Sequence, residues 1–217
     1  MGRTLAVQFW FDFASTYSYP AAWRVETLAR QQRVPVEWKA FLLGPIFQAQ
    51  GWNDSPFNLF PVQGRYMWRD LERICADLDL PFRRPSQFPR NSVLAARIAG
   101  RFGAEPWLPD FARAVFRANF AEDRDIAQPV VLERCLAALG LPGAELLQEV
   151  QSPDGKAQFR ARTEHAVALG IFGAPTFVVG DELFWGNDRL EPALAWAVHR
   201  GDGPGRPGAQ PLRSPSP

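Results

Sequence analysis

An aromatic run that stops abruptly at a set of hydroxyl residues constrains this chain more than any other stretch. Phe9-Trp10-Phe11-Asp12-Phe13-Ala14 has the length and character of a buried strand, and Ser15-Thr16-Tyr17-Ser18 breaks it just before a helical pattern begins. A strand running straight into a helix start leaves backbone N–H groups and the positive end of the helix dipole facing whatever sits in front of them. Anions, a thiolate included, are stabilised at such a place.

The order of elements extends this junction into a fold. Leu5 to Phe13 reads as a strand buried on both faces. Ser18 to about Gln32 reads as a helix, with Ala21, Ala22, Val25, Leu28 and Ala29 at helical spacing and Pro20 tolerable in the first turn. Val34 to Phe41 is a second strand, closed by the turn signal Gly44-Pro45, so the chain opens with a βαβ unit of right-handed crossover. From Pro45 to Pro61 the residues are turn-rich, and Gly51 to Pro56 reads as a loop that covers a site. Helices follow over Tyr66–Leu78, Ser92–Phe102, Pro106–Asn119, Val130–Leu139 and Gly143–Val150, and a long helix over Pro153–Leu169 presents Ala157, Ala161, His165 and Leu169 for contact. Gly173 to Val179 and Glu182 to Trp185 form an antiparallel hairpin through Gly180-Asp181, and Arg189 to Val198 closes the fold as a helix.

A βαβ start, a helical insertion and a ββα finish give an α/β architecture: a thioredoxin-like mixed sheet with an inserted all-helical subdomain. The expected division is 1–44 and 153–200 for the thioredoxin-like part and 45–152 for the insertion. Residues 201–217, rich in Pro, Gly, Arg and Ser, are expected to form a disordered tail.

Bulk properties narrow the function. At 217 residues with 47% apolar content the chain can build a real core, and a net charge of +1 gives no general attraction to nucleic acid or to an acidic membrane surface. A small-molecule ligand is expected. Cys75 and Cys135 form no C-x-x-C pair and have no histidine at metal-ligand spacing, so neither a disulfide framework nor a metal site is expected. With no signal peptide pattern read, the two thiols suggest a reducing cytoplasm. No apolar run approaches the roughly 18 residues needed to cross a bilayer.

Ser15 stands where a thioredoxin-type fold carries its nucleophilic cysteine, and Ser18 stands at the second sulfur position. Disulfide exchange by the chain's own side chains is therefore excluded, since a serine forms no thiolate. Ser15 or Ser18 as a plain helix N-cap is the simpler alternative, and one hydroxyl can fill both roles. Pro175 after Gly173-Ala174 opens a strand. Only about one X-Pro bond in twenty is cis, but in this topology the loop faces the first helix, where a cis bond turns the Ala174 backbone toward an extended peptide-like ligand. Asn187 and Asp188 suit capping of the last helix, and a carboxylate there can also hold a ligand ammonium. Asn53 reads as a turn residue of the covering loop. His165 and His199 read as structural, and Trp52, Trp68 and Trp185 as the tryptophans near the cleft.

Phe11–Tyr19 (FDFASTYSY), Arg65–Arg73 (RYMWRDLER), Asn91–Arg97 (NSVLAAR), Gly170–Phe177 (GIFGAPTF) and Trp185–Leu190 (WGNDRL) together resemble the 2-hydroxychromene-2-carboxylate isomerase family, over about residues 1 to 200. That family is close to kappa-class glutathione transferases, has the DsbA-like thioredoxin fold and is commonly dimeric. The resemblance implies glutathione as cofactor in the isomerisation of an aromatic pyruvate-derived substrate. It makes Ser15 the residue that hydrogen-bonds the glutathione sulfur, and Asn53, Ala174 with Pro175, and Asn187 with Asp188 the residues that hold the peptide. One position departs from the family pattern, because Gln63 stands where the family commonly has lysine. A charge-assisted bond to a carboxylate is roughly twice as strong as a neutral one, and Arg65 is the nearest candidate replacement. The alternatives are a kappa-like transferase and a non-catalytic binding module of the same fold.

Overall fold

The computed structural model describes residues 4–201. The tail expected to be disordered lies, beyond Gly201, outside the described residues. The chain opens with β1 (Val7–Phe11), α1 (Ser18–Gln31) and β2 (Val36–Ala40), and the two strands pair in parallel. Eight helices separate β2 from the later strands: α2 (Leu43–Ala49), α3 (Pro56–Leu59), α4 (Pro61–Asp77), α5 (Val93–Arg101), α6 (Leu108–Phe120), α7 (Pro129–Ala137), α8 (Gly143–Gln151) and α9 (Pro153–Ala168). β3 (Thr176–Val179), β4 (Glu182–Trp185), a 3-10 turn at Asn187–Arg189 and α10 (Leu190–Gly201) complete the fold.

The strand order is β2-β1-β3-β4, with β3 antiparallel to both its neighbours. β1 therefore has a partner on each side, and both of its faces are covered. Because successive side chains point to opposite faces, Val7, Phe9 and Phe11 enter one core with Phe177 and Val179. Trp10 and Val178 enter the other, with Phe41, Ile46, Ala166 and Ile171. The uninterrupted apolar run of β1 follows from this double burial. Phe9 and Phe11 stack at 5.1 Å, and Phe13 meets Phe11 edge-on at 5.2 Å. All three are fully buried, which stabilises the fold by about 1.5–3 kcal/mol for each ring. The strand end that carries Ser15 is thereby fixed.

Two segments differ from what the sequence suggested. The region from Pro45 to Pro61 folds into short helices on either side of the loop expected at Gly51 to Pro56, of which Gly51 to Ser55 is non-helical. Pro45 sits in the first turn of α2, and Pro56 and Pro61 open α3 and α4, positions where a missing N–H leaves no intrahelical bond unmade. Gly64 lets α3 lie against α4, since a Cβ there would stand 2.2 Å from the Phe57 carbonyl oxygen. On α9 the buried face is Gly155, Phe159, Thr163 and Ala166, while Ala157, Ala161 and His165 are exposed. Phe159 is the one large apolar side chain in the helix interior, and it sets the rotation.

Candidate functional site

The end of β1 is built around a residue whose role the sequence did not reveal. Asp12 is buried, and its carboxylate accepts the Ala14 N–H (2.9 Å), the Leu43 N–H (2.8 Å) and the Ser92 hydroxyl (2.6 Å). One side chain thus ties the loop before α1, the start of α2 and the residue preceding α5 to one another. Burial raises its pKa above the ordinary carboxylate range, and the three hydrogen bonds work against that shift. A charged residue inside an aromatic strand was the signal available in the sequence.

Ser15 follows, with its N–H donating to the Asp12 carbonyl at 2.9 Å. The Ser15 hydroxyl donates to the Ala174 carbonyl (2.8 Å) and accepts the Ser18 N–H (3.3 Å). It therefore satisfies an N–H at the start of α1, as a capping side chain does, while facing the loop before β3. The Ala174–Pro175 peptide is cis, and the Ala174 N–H has no partner among the described residues. The Ser18 hydroxyl is fully buried and likewise unpartnered.

These groups open onto a cavity of about 900 Å³. Of the residues singled out from the sequence, Ser15, Asn53, Gln63, Ala174, Asn187 and Asp188 line it. Pro175 does not, and contributes through the peptide bond it shares with Ala174. Asn187 is held by Arg24, whose guanidinium donates to its backbone carbonyl and to its side-chain Oδ1, both at 3.0 Å. That fixes the amide orientation and leaves the Asn187 NH2 without a partner among the described residues. Asp188 is exposed at the rim and pairs with Arg189 at 3.2 Å. Gln63, at the start of α4, is exposed, whereas Arg65 is absent from the cavity wall. Two residues along a helix turn the side chain to nearly the opposite side.

Aromatic residues form much of the wall. Phe47 and Trp52 approach at 5.6 Å on one side, and Phe172 and Trp185 at 4.9 Å on another. Trp68, expected near the cleft, is instead buried against Phe82 and Phe88, with Arg84 over its ring at 4.9 Å. Tyr17 lines the cavity and donates its hydroxyl to Asp70 at 3.0 Å; burial, with Asp70 beside it, pushes its pKa well up, so it stays protonated.

Neither cysteine belongs to the cavity wall. Burial pushes the Cys75 thiol up to about 12 and the Cys135 thiol to about 11, so neither supplies a thiolate near neutral pH. His165 packs on the Trp10 ring at 5.9 Å and His199 meets the Ala195 carbonyl, both away from the cavity. Among the described residues no helix is long and apolar enough to cross a membrane.

A family model described as a DSBA-like thioredoxin domain matches residues 6–195. A 2-hydroxychromene-2-carboxylate isomerase of Sphingobium xenophagum is 31% identical, over 87% of this chain and 95% of its own length. The glutathione S-transferase kappa 1 of Homo sapiens is 25% identical, over 85% of this chain and 87% of its own. A solved structure of a 2-hydroxychromene-2-carboxylate isomerase superposes with a TM-score of 0.77 at 28% identity, covering 90% of this chain and 95% of that one. On a match that spans most of its length, the chain belongs to the DsbA-like thioredoxin family and, within it, to the 2-hydroxychromene-2-carboxylate isomerase family.

Proposed function

We propose that this protein is a glutathione-dependent isomerase acting on a bicyclic aromatic substrate of the hydroxychromene type. The observation that carries the reading is the Ser15 hydroxyl, set at the start of α1 and 2.8 Å from the Ala174 carbonyl, in a cavity whose wall holds no cysteine. A thioredoxin-type site without its own sulfur acts on sulfur only if the sulfur is brought in. Relatives named as kappa-class glutathione transferases support glutathione as that source. A DsbM disulfide reductase of Pseudomonas aeruginosa, solved with GSH, has a similar fold at a TM-score of 0.63.

The residues suit an extended thiol peptide. Ala174 offers an unpartnered N–H beside a cis peptide bond, and its carbonyl becomes free when Ser15 turns its single proton toward a sulfur. The Asn187 NH2 and the Asp188 carboxylate would receive the γ-glutamyl end, with Asn53 and Gln63 toward the other. Held there, glutathione would supply a thiolate nucleophile for reversible addition to the conjugated substrate. Ser15 and the α1 dipole favour the charged form of the thiol. Tyr17, kept protonated, adds a polar hydroxyl to the wall, and the rings of Trp52 and Trp185 offer flat apolar surface to an aromatic substrate.

Calorimetric titration with glutathione, paired with assays of hydroxychromene substrates with and without it, tests the reading. Saturable binding at or below millimolar concentration and isomerisation only in its presence are expected. Absence of binding at that concentration overturns the reading. Release of a sulfur adduct as the product would assign the kappa-like transferase reaction instead.

A further inference from the structure

Tyr17 and Asp70 form a polar pair on the cavity wall that the thiol peptide does not use. The Tyr17 hydroxyl donates to Asp70 Oδ2 at 3.0 Å, and the Arg73 guanidinium donates to Asp70 Oδ1 at 3.1 Å. A phenol carries one proton, and its oxygen can also accept. Here the proton is committed to Asp70, which Arg73 holds from its other oxygen. Among the described residues no donor reaches the Tyr17 oxygen. What this pair offers a ligand is therefore acceptor capacity alone.

Chain geometry fixes the place of the pair in the cavity. Tyr17 follows Ser15 by two residues, so their Cα atoms are at most about 7 Å apart. On the other side α4 turns Gln63, Asp70 and Ile74 to the cavity while Met67 and Leu71 pack inward. The seven residues from Gln63 to Asp70 run about 10 Å along that helix. The pair thus flanks the reacting end at Ser15, away from Gln63. The Phe57 ring, 6.4 Å from that of Tyr17, continues the wall beside it.

We propose that Tyr17 and Asp70 form the subsite for a hydroxyl of the aromatic substrate, with Tyr17 accepting that hydroxyl's hydrogen bond while its own proton stays on Asp70. The inference rests on the reading of the cavity as a thiol-dependent aromatic site, and it assigns the residues that recognise one group of that substrate. A site built to bond a substrate hydroxyl discriminates against the analogue that lacks it, because its own polar group is then left unpaired. An ether oxygen in the same place fares no better, since it sets lone pair against lone pair.

The test is calorimetry of the full chain, without glutathione, using trans-2-hydroxycinnamate, trans-2-methoxycinnamate and unsubstituted cinnamate. All three carry the same carboxylate and ring. The hydroxy probe is expected to bind about fivefold tighter than either of the others, and comparison with the smaller cinnamate removes bulk as the cause. Tyr17→Phe is expected to erase its lead over cinnamate. In Asp70→Asn the Arg73 guanidinium keeps the side-chain oxygen, the new NH2 donates to Tyr17, and the Tyr17 proton turns to the cavity, so the methoxy probe should gain on the hydroxy probe. A hydroxy probe no tighter than cinnamate in the wild type overturns the proposal, as does a lead that survives Tyr17→Phe, an order unchanged in Asp70→Asn, or no binding of any probe. A parallel glutathione titration separates the two readings. Hydroxyl preference without glutathione binding sinks the isomerase reading alone, and glutathione binding without hydroxyl preference sinks this one alone.

Discussion

Replacing Asp12 by alanine removes the acceptor of three hydrogen bonds at once: those from the Ala14 N–H, the Leu43 N–H and the Ser92 hydroxyl. An unsatisfied buried donor costs about 1–3 kcal/mol. The two backbone donors lie at a cavity that admits water, so each belongs at the low end, and the sum is about 2–4 kcal/mol. Against this stands relief of a buried charge. Because burial raises the Asp12 pKa, the folded state binds a proton more readily than the unfolded state between the ordinary carboxylate value and the raised one. Wild-type stability from this group is therefore fully present at low pH and falls as pH rises through that interval. The Ser92 hydroxyl can reverse its role and accept from the protonated acid, so the network survives acidification. Asp12→Ala lacks the slope, and its cost is expected to be greatest near pH 4 and smaller at neutral pH. Urea unfolding followed by tryptophan fluorescence, for both proteins over a pH series, measures this. A cost below about 0.5 kcal/mol at all pH values, or a wild-type-minus-variant difference that does not change with pH, would refute the reasoning.

Other expectations concern the same walls. Arg24→Ala frees the Asn187 amide from its fixed orientation, and loss of one oriented bond worth about 1 kcal/mol should raise the glutathione Kd about fivefold with kcat held, as calorimetry and kinetics would read. Gly173→Ala places a Cβ 2.3 Å from the Trp185 indole nitrogen. It should displace that ring, weaken aromatic binding and shift tryptophan emission, with about 1–3 kcal/mol lost in stability. Ser18→Ala removes a buried hydroxyl that bonds nothing, so unfolding should show equal or higher stability, by up to about 1 kcal/mol, with glutathione binding retained. A clear loss of stability would mean that the hydroxyl has a partner.

The strand-to-helix junction was legible because burial on both faces leaves a continuous apolar run, and because the helix that follows announces its period through Ala21, Ala22, Val25 and Ala29. The antiparallel hairpin was legible for a local reason too, since Gly180 takes a positive φ of 60° next to Asp181. What was missed depends on partners distant in sequence. Nothing near Asp12 announces Ser92, and nothing near Tyr17 announces Asp70, 53 positions away. Trp68 resembled the cavity tryptophans in composition, yet α4 turns it inward with Met67 and Leu71. Gly44-Pro45 does follow the end of β2 as expected, but it stands in the first turn of α2 rather than in a turn, because proline there is as compatible with a helix start. Asn187 and Asp188 are expected from the sequence as caps of the last helix, but they lie in the 3-10 turn before it, which has no side-chain cap bond, and the Asn187 Oδ1 is instead taken by Arg24 from 163 residues earlier.

The central claim is that the start of α1, through Ser15, stabilises a thiolate that the chain does not itself contain. The most direct measurement is the pKa of glutathione's thiol when bound, read from ultraviolet thiolate absorbance against pH, in the wild type and in Ser15→Ala. The account requires a bound value below that of free glutathione, and a rise of about one unit in the variant, equivalent to about 1.4 kcal/mol. A bound thiol that titrates as it does in solution, or one that Ser15→Ala leaves unmoved, would contradict it.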